Sequence, residues 1–77
     1  MQAALIKAIR AERARVGLTQ VELAERLGWS RQTVNKIEAG ERMVLAHELV
    51  DLCAALDVTF AELMVKADQR DRRILGL

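Results

Sequence analysis

The sequence predicts an all-α domain, and three observations carry the prediction. Proline is absent and glycine occurs only four times, too few turn residues for a small barrel or sandwich of many short strands. The aromatics are Trp29 and Phe60 alone, whereas strands favour aromatic and β-branched side chains. Alanine, leucine, glutamate and arginine are abundant instead, and all four favour helix. Seventy-seven residues with 52% apolar content supply one small core and little beyond it.

The spacing predicts five helices in order. Leu5, Ile6, Ile9 and Val16 recur at helical intervals and define a first helix from about Ala3 to Val16. Gly17 closes it. Thr19 and Glu22 form a T-x-x-E capping box that opens a second helix, in which each residue satisfies the other's backbone amide. Leu23, Ala24 and Leu27 make its buried side, with Val21 as an additional candidate, and Gly28 stops it. Ser30 caps a third helix, with Val34 and Ile37 inward and Gly40 after its end. Two short helices joined by Gly28-Trp29-Ser30 fit a helix-turn-helix, although the same pattern also fits an ordinary αα-hairpin. A fourth helix, about Ala46 to Leu56, buries Leu49, Leu52, Cys53 and Leu56. Asp57 occupies the following turn. Thr59 and Glu62 repeat the capping box before a fifth helix, where Phe60, Leu63 and Met64 are available for packing. From Lys66 the pattern is ambiguous: a short C-terminal extension or a sixth helix both fit. Arg70 to Arg73 is charged, while Ile74, Leu75 and Leu77 are apolar.

Composition narrows the chemistry. One cysteine, Cys53, excludes an intrachain disulfide and a cysteine-rich zinc site. One histidine, His47, lies beside Glu48 without a second histidine or a matched nucleophile, so neither an enzyme nor a metal site is expected. Cys53 fits a small buried hydrophobe. No apolar run approaches the roughly 18 residues that a bilayer requires, and nothing near Met1 resembles a signal peptide. A soluble, cytoplasmic domain without cofactors is the expectation.

The net charge of +1 hides an uneven distribution. Residues 1–42 carry +3, residues 43–65 carry −4 and residues 66–77 carry +2. The two basic stretches could face a polyanion while the acidic middle faces elsewhere. On the third helix, Arg31 pairs at i,i+4 with Asn35, and Gln32 with Lys36, so the four share one outer face. All four donate hydrogen bonds. Arginine or lysine can read guanine O6 and N7, and asparagine or glutamine can read adenine N6 and N7. Thr33, beside the cap, suits a phosphate. The same residues would also make an ordinary solvated face.

The stretch GLTQVELAERLGWSRQTVNKIEAGER, Gly17 to Arg42, followed by the looser LVDLCAALDVTFAEL, Leu49 to Leu63, resembles the lambda-repressor-like helix-turn-helix family. That family includes small phage repressor and Cro proteins and Xre-like regulators. With Arg13 ahead of it, the resemblance covers about Ile6 to Met64. It implies that Gln20 binds a DNA phosphate and can buttress the recognition helix. It places Arg31, Gln32 and Lys36, with Asn35 adjacent, on base-reading positions. Thr33 and Arg42 fall at backbone contacts, and Arg13 and Glu38 at an internal salt bridge between the first and third helices. The chain departs from the family at four points. Trp29 replaces a small aliphatic residue, Val44 and Leu45 replace a proline and a capping serine, and Asp57 stands where glycine is usual. The sensor or peptidase domain that the family often adds has no counterpart in these residues.

These features imply a sequence-specific DNA-binding transcriptional regulator, most simply a dimeric repressor on a palindromic operator. Double-stranded DNA and a second copy of the chain are the expected partners. Residues 1–65 form the expected DNA-binding domain and 66–77 a tail. Expected dimer contacts are Leu45, Val50, Val58, Ile74 and Leu75, although Val58 also suits the intrachain core. Three alternatives share the layout. An antitoxin would hold a toxin as well as DNA, a restriction–modification controller would bind its own promoter, and a pure protein-interaction domain would have lost DNA.

Overall fold

A computed structural model describes residues 2–75, with side chains from 3 to 68. Five helices follow one another: α1 (Gln2–Val16), α2 (Gln20–Leu27), α3 (Arg31–Glu38), α4 (Ala46–Ala55) and α5 (Phe60–Leu75). The fold is all-α, with α2 and α3 as the helix-turn-helix pair. There is no sixth helix among the described residues. α5 instead continues without a break through the stretch where an extension or sixth helix was expected.

Local chemistry sets the helix starts. Thr19 Oγ1 accepts from the Glu22 amide at 3.1 Å, and Glu22 Oε1 accepts from the Thr19 amide at 2.9 Å. Thr59 and Glu62 repeat both bonds before α5, at 3.0 and 3.2 Å. Ser30 Oγ accepts from the Thr33 amide at the start of α3. Leu45, which precedes α4, has no acceptor, so only the reciprocal half survives: Glu48 Oε1 takes the Leu45 amide at 2.9 Å. Each of these bonds satisfies an amide that a helix N-terminus leaves open.

The first four helices end alike. At each end a residue with positive φ turns the chain, and the next amide reaches back to a carbonyl five residues earlier: Leu18 to Arg13, Trp29 to Ala24, Glu41 to Lys36 and Val58 to Cys53. The turning residue is glycine at the first three ends and Asp57, with φ of 55°, at the fourth. Aspartate tolerates this conformation better than most residues, at some cost.

Every helix contributes to one core. Ile9, Leu23, Ile37, Leu52, Leu56 and Leu63 are all but inaccessible, and Trp29 packs against this cluster half-buried. Ala4 and Ala8 of α1 and Ala67 of α5 are also buried, and α1 and α5 form the most extensive helix contact. Two expected packing residues stand outside. Val21 is exposed because it projects about 100° from the stripe of Leu23, Ala24 and Leu27. Phe60 shares the stripe of Leu63 and Met64 yet is 53% exposed, while Val58, two residues earlier, belongs to the core.

A buried carboxylate ties α1 to α5. Glu12 is 3% exposed and receives Arg15 Nε at 2.6 Å and the Lys66 ammonium. Arg15 also donates to the Leu56 carbonyl at 3.2 Å. Burial pushes the Glu12 carboxyl upward, but the bonds from Lys66 and Arg15 outweigh it and hold the group below the usual carboxylate range. No helix among the described residues is long and apolar enough to cross a membrane.

Candidate nucleic-acid interface

The buried and exposed sides of α3 divide cleanly. Val34, Ile37 and Glu38 point inward, while Arg31, Gln32, Asn35 and Lys36 are exposed. The i,i+4 spacing therefore presents four donor side chains together on the surface. A groove across this face is lined by Ser30, Arg31, Gln32, Asn35, Lys36 and Glu41. Glu41, beyond the end of α3, brings a carboxylate to the rim.

Behind the face, four side chains form a continuous relay. Glu38 receives Arg13 Nε at 2.8 Å and Arg13 Nη2 at 3.0 Å, so the pair is bidentate. Arg13 Nη1 donates to the Leu18 carbonyl, fixing the guanidinium at the end of α1. Gln20 Nε2 donates to Glu38 Oε1 at 3.0 Å, and Asn35 Nδ2 donates to Gln20 Oε1 at 3.3 Å. The chain of bonds runs from α1 through α3 and α2 to the outer surface of α3. It anchors one member of the donor face and leaves Arg31, Gln32 and Lys36 unanchored.

Thr33 and Arg42 are less free than their expected role suggests. Thr33 is half-buried, and its hydroxyl lies 2.9 Å from Ser30 Oγ. Arg42 clamps Glu48 through both terminal nitrogens and also donates to the Met43 carbonyl at 3.1 Å. The guanidinium, together with the Leu45 amide, holds the Glu48 carboxyl below its usual range despite burial. Three of the five guanidinium donors are thereby occupied, leaving two for an outside acceptor.

The expected dimer contacts scatter. Leu45 is 50% and Val50 65% exposed, next to Met43 at 71%. Val58 is buried and packs in the chain's own core, which removes it from the surface. Ile74 and Leu75 belong to the last turn of α5, and their side chains lie outside the described residues. His47 is exposed, and Cys53 is buried with its thiol pushed upward by desolvation. Among the described residues no three His, Cys, Asp or Glu side chains cluster as metal ligands would.

Three ion pairs, made by the two buried carboxylates Glu12 and Glu48, leave little mark on the sequence. Leu5, Ile9, Glu12 and Val16 follow the same inward spacing, so a carboxylate at the third place was the available signal for Glu12. Glu48 carried only half a capping pattern, because Leu45 cannot accept.

A model described as helix-turn-helix matches residues 9–63. An uncharacterized HTH-type transcriptional regulator of Methanothermobacter thermautotrophicus is 48% identical over 44 residues, covering 53% of this chain and 64% of that protein. Another from Sinorhizobium fredii is 38% identical over 53 residues, covering 69% of each. Two crystal structures of the clp gene regulator ClgR from Corynebacterium glutamicum are similar throughout. One has a TM-score of 0.83 at 32% identity, covering 90% of this chain and 88% of its own. The other has a TM-score of 0.86 at 29% identity, covering 97% and 81%.

Proposed function

We propose, from the premise that this chain belongs to the helix-turn-helix family, that it is a sequence-specific DNA-binding transcriptional regulator. The observation that carries the proposal is the outer face of α3, where Arg31, Gln32, Asn35 and Lys36 stand exposed with no carboxylate of α3 among them. A helix of this kind fits the major groove, where bidentate donors distinguish guanine and adenine from their partners. Its nearest subfamily, in our reading, is the lambda-repressor-like and Xre-like group.

In the mechanism, α3 enters the groove and Arg31, Gln32, Asn35 and Lys36 meet base edges. Asn35 keeps one amide hydrogen and its carbonyl for an adenine while the other hydrogen is held by Gln20. Gln20 binds a phosphate with its own remaining amide hydrogen, since its other donor is on Glu38. Thr33 and the two open donors of Arg42 take neighbouring phosphates, which set register rather than sequence. The Arg13–Glu38 bridge holds α3 at its angle.

Two copies joined through Leu45 and Val50 would set two recognition helices about 34 Å apart, matching one turn of DNA. Such a dimer represses by covering a promoter in the cytoplasm. The functional division into 1–65 for DNA and 66–77 as a tail falls inside α5, whose helix runs on through residues 66–75.

The test is selection of bound fragments from a random duplex library with the purified chain. An enriched inverted repeat is expected, losing its guanine or adenine preferences in Arg31→Ala or Gln32→Ala. Failure of the folded protein to retain any duplex would overturn the regulator, and would turn attention to a toxin or another protein on the Leu45–Val50 surface.

A further inference from the structure

The basic side chains described in the structure fall into two sets. Arg13, Arg15, Arg42 and Lys66 are each bound to a carboxylate, and Arg26 donates to the Ala55 carbonyl. Lys7, Arg10, Arg31 and Lys36 make no ion pair or hydrogen bond with another of the described residues. Arg31 and Lys36 belong to the proposed reading face. Lys7 and Arg10 lie one turn apart on α1, both exposed, and no role has yet been given to either.

Arg10 lines a cleft between α1 and α3 together with Arg13, Gln20, Asn35, Glu38 and Ala39. Asn35 also lines the groove across the outer face of α3, so the two concavities meet at that residue. Within the cleft the charge of Glu38 is cancelled by bidentate Arg13. The charge left over is that of Arg10. A ligand lying along the donor side chains of α3, with Glu41 as the one carboxylate at the groove's rim, therefore reaches an uncompensated guanidinium at Arg10.

We infer that Arg10 is a phosphate anchor on α1, contacting the DNA backbone that flanks the α3 groove, with Lys7 extending the same contact by one turn. The inference rests on the DNA-binding function proposed above. The required chemistry is a row of phosphates, because the site offers single cations along a helix and a shared edge with the base-reading face. It offers no enclosed cradle for a small anion. Side chains one turn apart rise about 4.5 Å along the axis, comparable with the 3.4 Å of axis per phosphate on one strand.

Fluorescence anisotropy of a labelled mixed-sequence duplex of about 20 base pairs, two helical turns, titrated at several salt concentrations, tests the assignment. Each neutralised phosphate contributes about 0.9 to the slope of log K against log salt. Arg10→Gln should lower that slope by about 0.9, so that a fourfold rise in salt costs the variant about threefold less affinity than it costs the parent chain. Arg10→Lys should restore most of the slope. Arg26→Gln makes the same change of net charge against the end of α4 and should leave the slope unaltered. Both glutamine variants are expected to melt as the parent chain does by circular dichroism.

If the parent chain binds the duplex and Arg10→Gln keeps its slope, the α1 anchor is wrong while the DNA-binding function stands. An equal fall of slope in Arg26→Gln also overturns the anchor, since net charge alone would then account for the effect. If the parent chain binds no duplex at low salt, the function falls and the anchor falls with it.

Discussion

Glu48 joins a loop to a helix N-terminus through local electrostatics. Its carboxylate holds Arg42 from the loop and the Leu45 amide from the N-terminus of α4 at once. Its folded pKa lies below its ordinary value of 4.5, so the bonds stabilise the fold above about pH 4.5 and lose that contribution as acid protonates the group. Glu12, also held low by its partners, acts in the same direction. Acid melting of Glu48→Gln should therefore fall less between about pH 6 and about pH 3 than that of the parent chain; an identical fall would mean that Glu48 contributes nothing. Glu38 makes a different test. Its replacement by Gln leaves Arg13 without a counter-charge at a half-buried position, at a cost of about 1–3 kcal/mol in urea unfolding. A loss within error would show that Arg13 finds solvent freely. Cys53 should stay unmodified by an aromatic disulfide reagent until the protein is unfolded, because burial disfavours its thiolate.

The elements were legible because their punctuation is chemical and short-range. Thr19 with Glu22, Ser30, and Thr59 with Glu62 mark starts within four residues, and a positive-φ residue marks each of four ends. α5 was the exception. Its charged second half hid the burial of Ala67 and the reach of Lys66 to Glu12, a partner 54 positions away. Periodicity identifies which side of a helix is apolar, but not which other helix a lysine will meet. Phe60 failed for a related reason: a stripe predicts direction, while exposure depends on where the core stops. Asp57 is the element-level weak point. Replacing it with glycine relieves a left-handed residue, so Asp57→Gly should gain about 0.5–1 kcal/mol, raising Tm by roughly 3–6 °C. A fall in Tm would show that the aspartate carboxylate matters more than its backbone angle.

At the scale of the whole molecule, the outer face of α3 was readable from i,i+4 spacing alone. The relay beneath it was only partly readable. The family resemblance paired Arg13 with Glu38 and allowed Gln20 to buttress α3, but no local pattern says that Gln20 bonds both Glu38 and Asn35. That requires knowing how three helices cross. The exposed Met43, Leu45 and Val50 group is likewise a property of the assembled surface. If it joins two copies, Leu45→Ser with Val50→Ser should shift sedimentation to the monomer and weaken binding to an inverted repeat far more than to a single half-site. Equal weakening on both DNAs, or an unchanged mass, would remove that surface from the dimer.

The segregation of paired from unpaired cations has a consequence for how such a protein can change. Arg13, Arg15, Arg42 and Lys66 are each committed to a carboxylate of the fold, whereas Arg31, Gln32 and Lys36 bond no other described residue. Side chains at the latter positions can be exchanged without disturbing that frame, so if α3 reads DNA as proposed, new targets are reachable through single substitutions that each leave the fold intact. Asn35 is the exception. Among the described residues, its link to Gln20 makes it the proposed reading position where a substitution would also disturb the frame.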